Sequence, residues 1–381
     1  MNIILQIFSG SFTEKPASYE SILQKLEPVV SRIKVSKVFM GMSTDRELYQ
    51  KVRDYLYRNQ IEFYLWLPVF AELDELKKGY PLVDFHGKDK GDYELTERED
   101  FTFYCPNHPQ NVFNVLRVFE EHFASIGFTG VFLDKIRYSS FANGLNGVLT
   151  CFCPFCQIKY KDANFDPKDL EAPISMLPQK QSPFGAVAYH HGRYTFDDDR
   201  WNQFFRLKSQ IITRQVTGIC QFFKERNYKI GLDVFAPFGS HFVGQDIPAL
   251  CASADFVKPM MYRMTNAPAG LPFELDAILQ ETTSNEAQKK AFYKVLGFDP
   301  EKRPFDLDFS VKELNDLAQT TTIPIYPGVE INRARIAEVT PSYIEETINA
   351  YSQADVKGFV LSWNLLNAPQ ENIEQIIRMF S

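Results

Sequence analysis

Four of the six cysteines are spaced in a way that suits metal binding. Three form a C-x-C-x-x-C cluster: Cys151, Cys153 and Cys156. The fourth, Cys105, lies well upstream. Four thiolates can close a tetrahedral zinc site, and soft sulfur ligands suit zinc in a reducing compartment. A disulfide pair and buried free thiols are alternative interpretations that the spacing leaves open. The other two cysteines fall on helical patterns and are predicted to be core thiols: Cys220 and Cys251.

Three carboxylates interrupt stretches that otherwise read as buried strands: Asp134, Asp233 and Glu330. An acid in such a stretch is costly unless it is paired or catalytic. Glycoside hydrolysis needs two carboxyls, one to protonate the leaving oxygen and one to attack or to activate water. We therefore predict these three as catalytic candidates. Residues at the same strand ends are predicted to bind substrate, the two tryptophans as stacking platforms for sugar rings: Trp66, Lys135, Arg137, Lys258, Tyr262, Trp363 and Asn364.

Short apolar runs alternate with amphipathic stretches along the chain. Continuous apolar runs suit strands buried on both faces, as in a parallel sheet covered by helices. Eight strands are predicted, at 3–8, 37–42, 62–70, 130–138, 229–236, 255–262, 324–331 and 358–366. Helical spacing predicts helices at 18–33, 44–59, 109–126, 201–227, 247–253, 340–353 and 369–380. This order predicts an α/β fold, a (β/α)8 TIM barrel.

Two long insertions follow the third and fourth predicted strands, at 71–108 and 139–200. Loops after the strands carry the active site in barrels of this type. The insertions are therefore predicted to form the cleft and the zinc-binding region. No linker, composition break or repeat indicates a second domain, so 1–381 is predicted to be a single barrel domain.

The composition excludes several classes of protein. The chain has 381 residues, 45% hydrophobic and 23% charged, which is typical of a soluble globular protein. Its net charge of −7 argues against nucleic-acid binding. No apolar stretch is long enough to span a membrane, and residues 1–8 lack the features of a signal peptide. We predict a cytoplasmic protein with a carbohydrate substrate, no nucleic-acid or membrane partner and no organic cofactor; its oligomeric state stays open.

The cysteine cluster resembles a known family. Residues 151–157, followed by a helix-like segment at 158–163, are similar to the zinc-binding segment of family 42 β-galactosidases and related barrel glycosidases. Those enzymes also place an isolated fourth cysteine upstream, as Cys105 is placed here. The metal is structural in that family. The resemblance therefore implies a structural zinc on these four cysteines, in a glycosidase-type barrel.

The end of the fourth strand departs from that family. The family has Asn-Glu where this chain has Leu133-Asp134-Lys135. The resemblance therefore implies the type of barrel and not the galactosidase activity itself. Residues 127–134 also resemble poorly characterised glycoside hydrolase-like barrels whose fourth strand ends in Asp.

The roles of the carboxylates have alternatives. Many retaining barrel glycosidases draw their pair from strands four and seven, which maps to Asp134 as general acid/base and Glu330 as nucleophile. A fourth-strand Asp can instead be the nucleophile, with the acid elsewhere, such as Asp233. In a purely structural interpretation, Asp134 forms a buried ion pair with Arg137 or Lys258, and Asp233 orients a neighbouring base.

Two other functions fit the same residues. Burial of Lys258 among apolar neighbours would free its amine for a Schiff base, as in barrel aldolases or lyases. Against this, no clear phosphate-binding glycine loop follows strands seven and eight. A non-catalytic carbohydrate-binding barrel is the other alternative, because Asp replaces the Glu that the family carries on strand four.

Overall fold

A barrel of parallel strands forms the centre of the molecule. The computed structural model describes residues 1–12, 15–73, 76–89, 102–299 and 305–381. Eight strands in these ranges form one parallel sheet, and we number them β1 to β8 in chain order. They are Asn2–Phe8 (β1), Val35–Gly41 (β2), Glu62–Pro68 (β3), Gly130–Asp134 (β4), Lys229–Phe235 (β5), Phe256–Met260 (β6), Gly328–Glu330 (β7) and Gly358–Ser362 (β8).

The sheet closes on itself. Neighbouring strands pair from β1 to β6, and β8 lies between β1 and β7. Between β6 and β7, the backbone N–H of Val257 donates to Pro324 O at 3.0 Å, and that of Tyr326 donates to Val257 O at 2.9 Å. The predicted TIM-barrel fold is therefore confirmed.

Some strands are shorter than predicted, for local reasons. β4 stops at Asp134 because Lys135 has a φ of 50°, which turns the chain out of the sheet. β7 begins only after Pro327, which has no N–H to donate to a neighbouring strand.

Helices connect the strands. Those that match the predicted helices are Tyr19–Val30, Arg46–Arg58, Pro109–Val118, Asp199–Lys224, Ile247–Cys251, Pro341–Tyr351 and Gln370–Phe380, the third continuing as a π-helical turn, Phe119–Phe123. Single-turn helices lie at Phe141–Asn143, Pro167–Leu170, Leu177–Gln179, Pro183–Gly185, Pro237–Ser240 and Leu365–Asn367. None of the helices in the described ranges has the length and apolar character needed to cross a membrane.

The sequence analysis misses three helices between β6 and β7: Leu271–Thr282, Glu286–Leu296 and Leu307–Thr320. Two of them carry ordinary start signals, because the side chains of Asn285 and Asp306 accept hydrogen bonds from the first turn. Gly297, with a φ of 83°, ends the middle helix. The connection between β6 and β7 is therefore a third long insertion in the barrel.

The insertion after β4 is built from short elements. It holds the helices Gly144–Val148, Pro154–Asp162 and Glu171–Met176 and a hairpin of Ala186–His190 with Arg193–Phe196. A further two-residue hairpin, Arg333–Ala334 with Ala337–Glu338, follows β7. Part of the insertion after β3 lies outside the described residues. A bridge between Asp84 and Thr150 joins the two insertions.

Aromatic rings fill one layer of the barrel interior. The rings of Phe39 and Phe132 stack at 4.2 Å, and those of Phe39 and Phe256 at 5.6 Å. Gly231 makes room for them, since a Cβ there would lie 2.1 Å from the Phe256 ring. Residues two positions further along a strand face the same side. The next inward-facing layer therefore includes Asp134 on β4, Asp233 on β5 and Lys258 on β6, all of them buried polar side chains.

Candidate active site and cysteine cluster

Lys258 is the centre of a buried hydrogen-bond network. Its Nζ donates to Asp233 Oδ2 at 2.9 Å, to the Tyr262 hydroxyl at 2.6 Å and to Gln6 Oε1 at 3.2 Å. Burial alone would lower the pKa of Lys258. The negative charge of Asp233 and the interactions with Tyr262 outweigh that effect, so the pKa is raised. Lys258 is therefore an ammonium with three acceptors.

Asp233 is held by Lys258 on one side only. Its second oxygen, Oδ1, is buried and accepts no hydrogen bond from the part of the chain that the structure describes. Burial raises the pKa of Asp233 to about 7; the charge of Lys258 opposes the rise, and that of Asp134 adds to it. The two predicted carboxyls on the neighbouring strands β4 and β5 thus lie close enough to influence each other.

Asp134 ends β4 beside Trp66. The indole Nε1 of Trp66 donates to Oδ2 at 2.9 Å, and the backbone N–H of Lys135 donates to Oδ1 at 2.5 Å. The turn at Lys135 brings its N–H to the preceding side chain, while its ammonium pairs with Glu72 at 2.7 Å. Each oxygen of Asp134 therefore has one donor. It forms no ion pair with Arg137 or Lys258 in the described part of the chain, so that alternative is wrong.

Arg137 is buried between two aromatic rings. Its guanidinium carbon lies 4.4 Å from the ring centre of Phe103 and 4.3 Å from that of Phe235. Nη1 donates to Tyr138 O at 3.0 Å. Burial lowers the pKa of Arg137 to about 10, while the charges of surrounding carboxylates oppose that change, Glu274 and Asp134 most strongly.

Glu330 is surrounded by donors. Oε1 accepts from the backbone N–H of Met264 at 2.9 Å, and from the N–H and hydroxyl of Thr265, each at 2.7 Å. Oε2 accepts from the N–H of Arg263 at 3.0 Å and from the Tyr343 hydroxyl. Burial raises the pKa of Glu330, and these hydrogen bonds oppose the rise. The carboxylate fixes the segment that follows Tyr262 after β6.

The two predicted side chains at the end of β8 differ in their surroundings. Trp363 is partly buried and packs against an apolar cluster at the mouth: Phe235, Val243, Met260 and Tyr262. Asn364 is buried, and its Oδ1 accepts from the backbone N–H of Phe8 at 3.0 Å. Asn364 thus joins β8 to the end of β1, and Trp363 contributes an apolar surface.

The sequence analysis misses two residues that shape the site. Glu274 is buried near Arg137 and accepts from Ser140 Oγ at 3.0 Å and from the backbone N–H of Ala269 at 2.9 Å. It lies in the first turn of an unpredicted helix, whose Pro272 was an available start signal. Tyr343, the hydroxyl donor to Glu330, lies on the predicted helix 340–353, and no motif in the sequence marks its contact with Glu330.

The four predicted metal ligands lie together. The Sγ atoms of Cys105, Cys151, Cys153 and Cys156 all lie within 4.8 Å of one another, and all four residues are buried. Cys105 Sγ is 3.5 Å from the Sγ of Cys153 and of Cys156. These separations exceed the S–S bond length of about 2 Å, so the disulfide alternative is wrong here. A compact set of four sulfur ligands fits a tetrahedral metal site. Cys220 and Cys251 are buried apart from this cluster, as predicted.

The cluster links the two insertions and lies near a buried lysine. The backbone N–H of Val83 donates to Cys151 Sγ at 3.3 Å. Lys208 is fully buried, and its Nζ donates to Val148 O at 2.6 Å and to Phe242 O at 3.3 Å. Burial lowers the pKa of Lys208 to about 7, and the charges of Cys151 and Cys156 oppose that change.

Two solved structures with a similar fold come from glycosidases. The glycoside hydrolase domain of PgaB (BpsB) from Bordetella bronchiseptica matches with a TM-score of 0.62 at 12% identity, covering 100% of this chain and 99% of that one. α-L-Fucosidase isoenzyme 2 from Paenibacillus thiaminolyticus matches with a TM-score of 0.54 at 9% identity, covering 99% of this chain and 48% of that one. This chain therefore spans about half of the fucosidase.

The sequence itself gives no such match. No protein-family model matches the chain, and no curated protein matches it significantly. At the low identities above, the likeness shows the fold alone. The chain has a glycoside hydrolase-like barrel and a four-cysteine cluster, and these findings do not extend to family 42.

Proposed function

We propose that this protein is a glycoside hydrolase whose reacting carboxyls are Asp134 and Asp233. One observation carries the proposal. The two side chains lie at the same level of adjacent strands, and one oxygen of Asp233 is buried there without a hydrogen-bond partner in the described residues. A buried polar atom without a partner costs about 1–3 kcal/mol. Such a cost is expected where a substrate atom supplies the missing contact.

The surroundings of the two carboxyls favour different roles. Asp233, with a pKa raised to about 7, carries a proton in about half of the molecules at neutral pH and can deliver it to the glycosidic oxygen. Asp134 has one N–H donor on each oxygen, which leaves it as an acceptor that can attack the anomeric carbon or take a proton from water. Two neighbouring carboxyls with such different surroundings are typical of an acid and base pair.

We assign Glu330 a positioning role instead of the nucleophile role predicted from the sequence. Oε1 accepts three hydrogen bonds and Oε2 accepts two, from three backbone N–H groups and two hydroxyls. Each oxygen of Asp134 accepts only one, so Asp134 keeps lone pairs free for the sugar or for water and Glu330 does not. Glu330 thus supports the segment after β6 that carries Tyr262.

A structural zinc on the four cysteines is part of the same proposal. Zinc bound by four thiolates has no open position and would supply a cross-link between the loops after β3 and β4, not chemistry. Cys105 lies two residues after Phe103. Cys151 directly follows Thr150, which forms a backbone bridge to Asp84 in the other insertion.

The contacts of Lys258 argue against the Schiff-base alternative. Attack on a carbonyl needs a neutral amine. Lys258 instead donates to three acceptors, and its pKa is raised. Its role in this proposal is to hold Asp233.

Hydrolysis of a panel of aryl glycosides and oligosaccharides tests the proposal. We expect Asp134→Asn and Asp233→Asn to lower kcat/KM by about 10²- to 10⁴-fold, the usual contribution of an acid or base. The exposed control Glu346→Gln should match the wild type. Thermal melting must show that each variant is folded.

Three results would contradict the proposal. Full activity in either Asp variant removes that residue from the mechanism. A folded wild type that binds glycans without hydrolysing any supports the non-catalytic barrel. Borohydride trapping of a carbonyl substrate on the wild type, lost in Lys258→Met, supports the aldolase.

A further inference from the structure

Arg137 is a buried cation without a counter-ion in direct contact. It is 4% exposed, and its guanidinium lies between the rings of Phe103 and Phe235. Its single hydrogen bond in the described part of the chain runs from Nη1 to Tyr138 O. Among the described residues it forms no ion pair. A buried charge is normally paired, because removing it from water is costly.

The carboxylates around Arg137 already have other partners. Glu72 pairs with Lys135, and Asp233 pairs with Lys258. Glu274 accepts from Ser140 and from the N–H of Ala269. Asp134 accepts from Trp66 and from the N–H of Lys135. These groups compensate the charge of Arg137 at a distance, and none of them accepts a hydrogen bond from its guanidinium.

Arg137 also lies at the reaction centre. It follows Asp134 by three residues in the turn after β4, and its guanidinium packs on Phe235, two residues after Asp233 on β5. A group bound to Arg137 would therefore lie next to the bond that these carboxyls cleave. The two rings pack against the guanidinium and favour its charge through cation–π contacts.

We infer that Arg137 binds the carboxylate of an acidic sugar, so that the substrate is a glycan containing a hexuronic acid next to the cleaved bond. A guanidinium presents a planar fork of N–H donors that matches a carboxylate with two parallel hydrogen bonds. A uronic acid supplies that carboxylate on the sugar ring, and it would complete the pairing that this chain leaves open. This inference rests on the proposed glycoside hydrolase function.

Matched pairs of substrates test the inference. The aryl glucuronide is compared with the glucoside, the galacturonide with the galactoside, and a 6-sulfated glycoside with its parent, in both anomeric forms. We expect the wild type to have a higher kcat/KM on a uronide than on its neutral partner. Arg137→Lys and Arg137→Met should lower that ratio by about 10- to 150-fold, the range for hydrogen bonds to a charged group. Arg206→Gln, an exposed arginine on the helix Asp199–Lys224, should leave the ratio unchanged.

Binding measurements separate this inference from the proposed function. Ligand-observed NMR should detect glucuronic or galacturonic acid on the wild type and not on folded Arg137→Met. Hydrolysis that favours neutral or sulfated sugars, or a ratio unchanged in both Arg137 variants, overturns the inference and leaves the glycosidase intact. Binding of a uronic acid to Arg137 without hydrolysis of any glycoside overturns the proposed function instead.

Discussion

Several buried polar side chains of the barrel form one hydrogen-bond network around Lys258. Lys258 donates to Asp233, Tyr262 and Gln6, and Gln6 also accepts from Ser362 at 3.1 Å. Such a network is rigid when every member is satisfied. The oxygen of Asp233 without a donor is therefore a feature that sets this residue apart from the others.

The Asp233–Lys258 pair should determine how kcat/KM depends on pH. If Asp233 is the acid, it works only while protonated, so kcat/KM should fall as the pH rises through about 7. The charge of Lys258 lowers the pKa of Asp233. Lys258→Met should therefore raise the pKa of Asp233 and move the descending limb of the pH profile to higher pH. Profiles of kcat/KM between about pH 4 and pH 9 measure the shift.

The exposed lysine Lys224 provides the control for this experiment. Lys224→Met removes an exposed charge on the last turn of its helix, before β5 begins, and should leave the pH dependence unchanged. A limb that stays fixed in Lys258→Met, in a variant shown to be folded, would assign the titration to another group and remove Asp233 as the acid.

Sequence patterns located the buried polar residues of the barrel better than the contacts that these residues make. A charged residue in an apolar strand is visible in the sequence, which is why Asp134, Asp233 and Lys258 were predicted. The donors around Glu330 come from Arg263–Thr265, which precede it by 65 to 67 residues, and from Tyr343 on the helix that follows it. Hydrogen bonds between separate segments depend on how the segments pack, so the number of donors around Glu330 could not be predicted.

At the scale of elements, Glu330 connects three parts of the chain. It is the last residue of β7 and holds the segment after β6 and, through Tyr343, the helix Pro341–Tyr351. We expect Glu330→Gln to lose about 1–3 kcal/mol of unfolding free energy, because an amide cannot accept on both sides and leaves buried donors unmatched. Its kcat/KM should fall less than that of Asp134→Asn.

Thermal melting and kinetics on the same samples decide between the two roles of Glu330. The exposed control Glu346→Gln should show no change in either. A Glu330→Gln protein with wild-type stability and a loss of activity as large as that of Asp134→Asn would restore the nucleophile role predicted from the sequence.

The elements themselves were largely predictable, and the errors have local causes. Eight apolar runs gave the eight strands in order, because buried parallel strands need apolar residues on both faces. The end of β4 was placed too late, since a positive φ at Lys135 is not visible in a lysine. Two of the three helices between β6 and β7 begin after cap residues that are visible in the sequence, Asn285 and Asp306.

At the scale of the whole molecule, the cysteine cluster and the barrel mouth are physically connected. Phe103, which covers one face of Arg137, lies two residues before Cys105. The chain is also linked there through a backbone bridge from Ala71, just after β3, to Phe103. A bound metal would therefore help to hold one wall of the candidate active site.

Removal of the metal gives the last prediction. We expect about one equivalent of zinc in the purified protein, since four thiolates hold one ion. Chelation should lower both the thermal midpoint and kcat/KM, because Cys105 and the wall carrying Phe103 lose their cross-link to the loop after β4. Added zinc should restore both. Cys151→Ser should lose the metal, whereas Cys251→Ser, outside the cluster, should keep it. A metal-free protein with unchanged stability would show that packing alone holds the two insertions together.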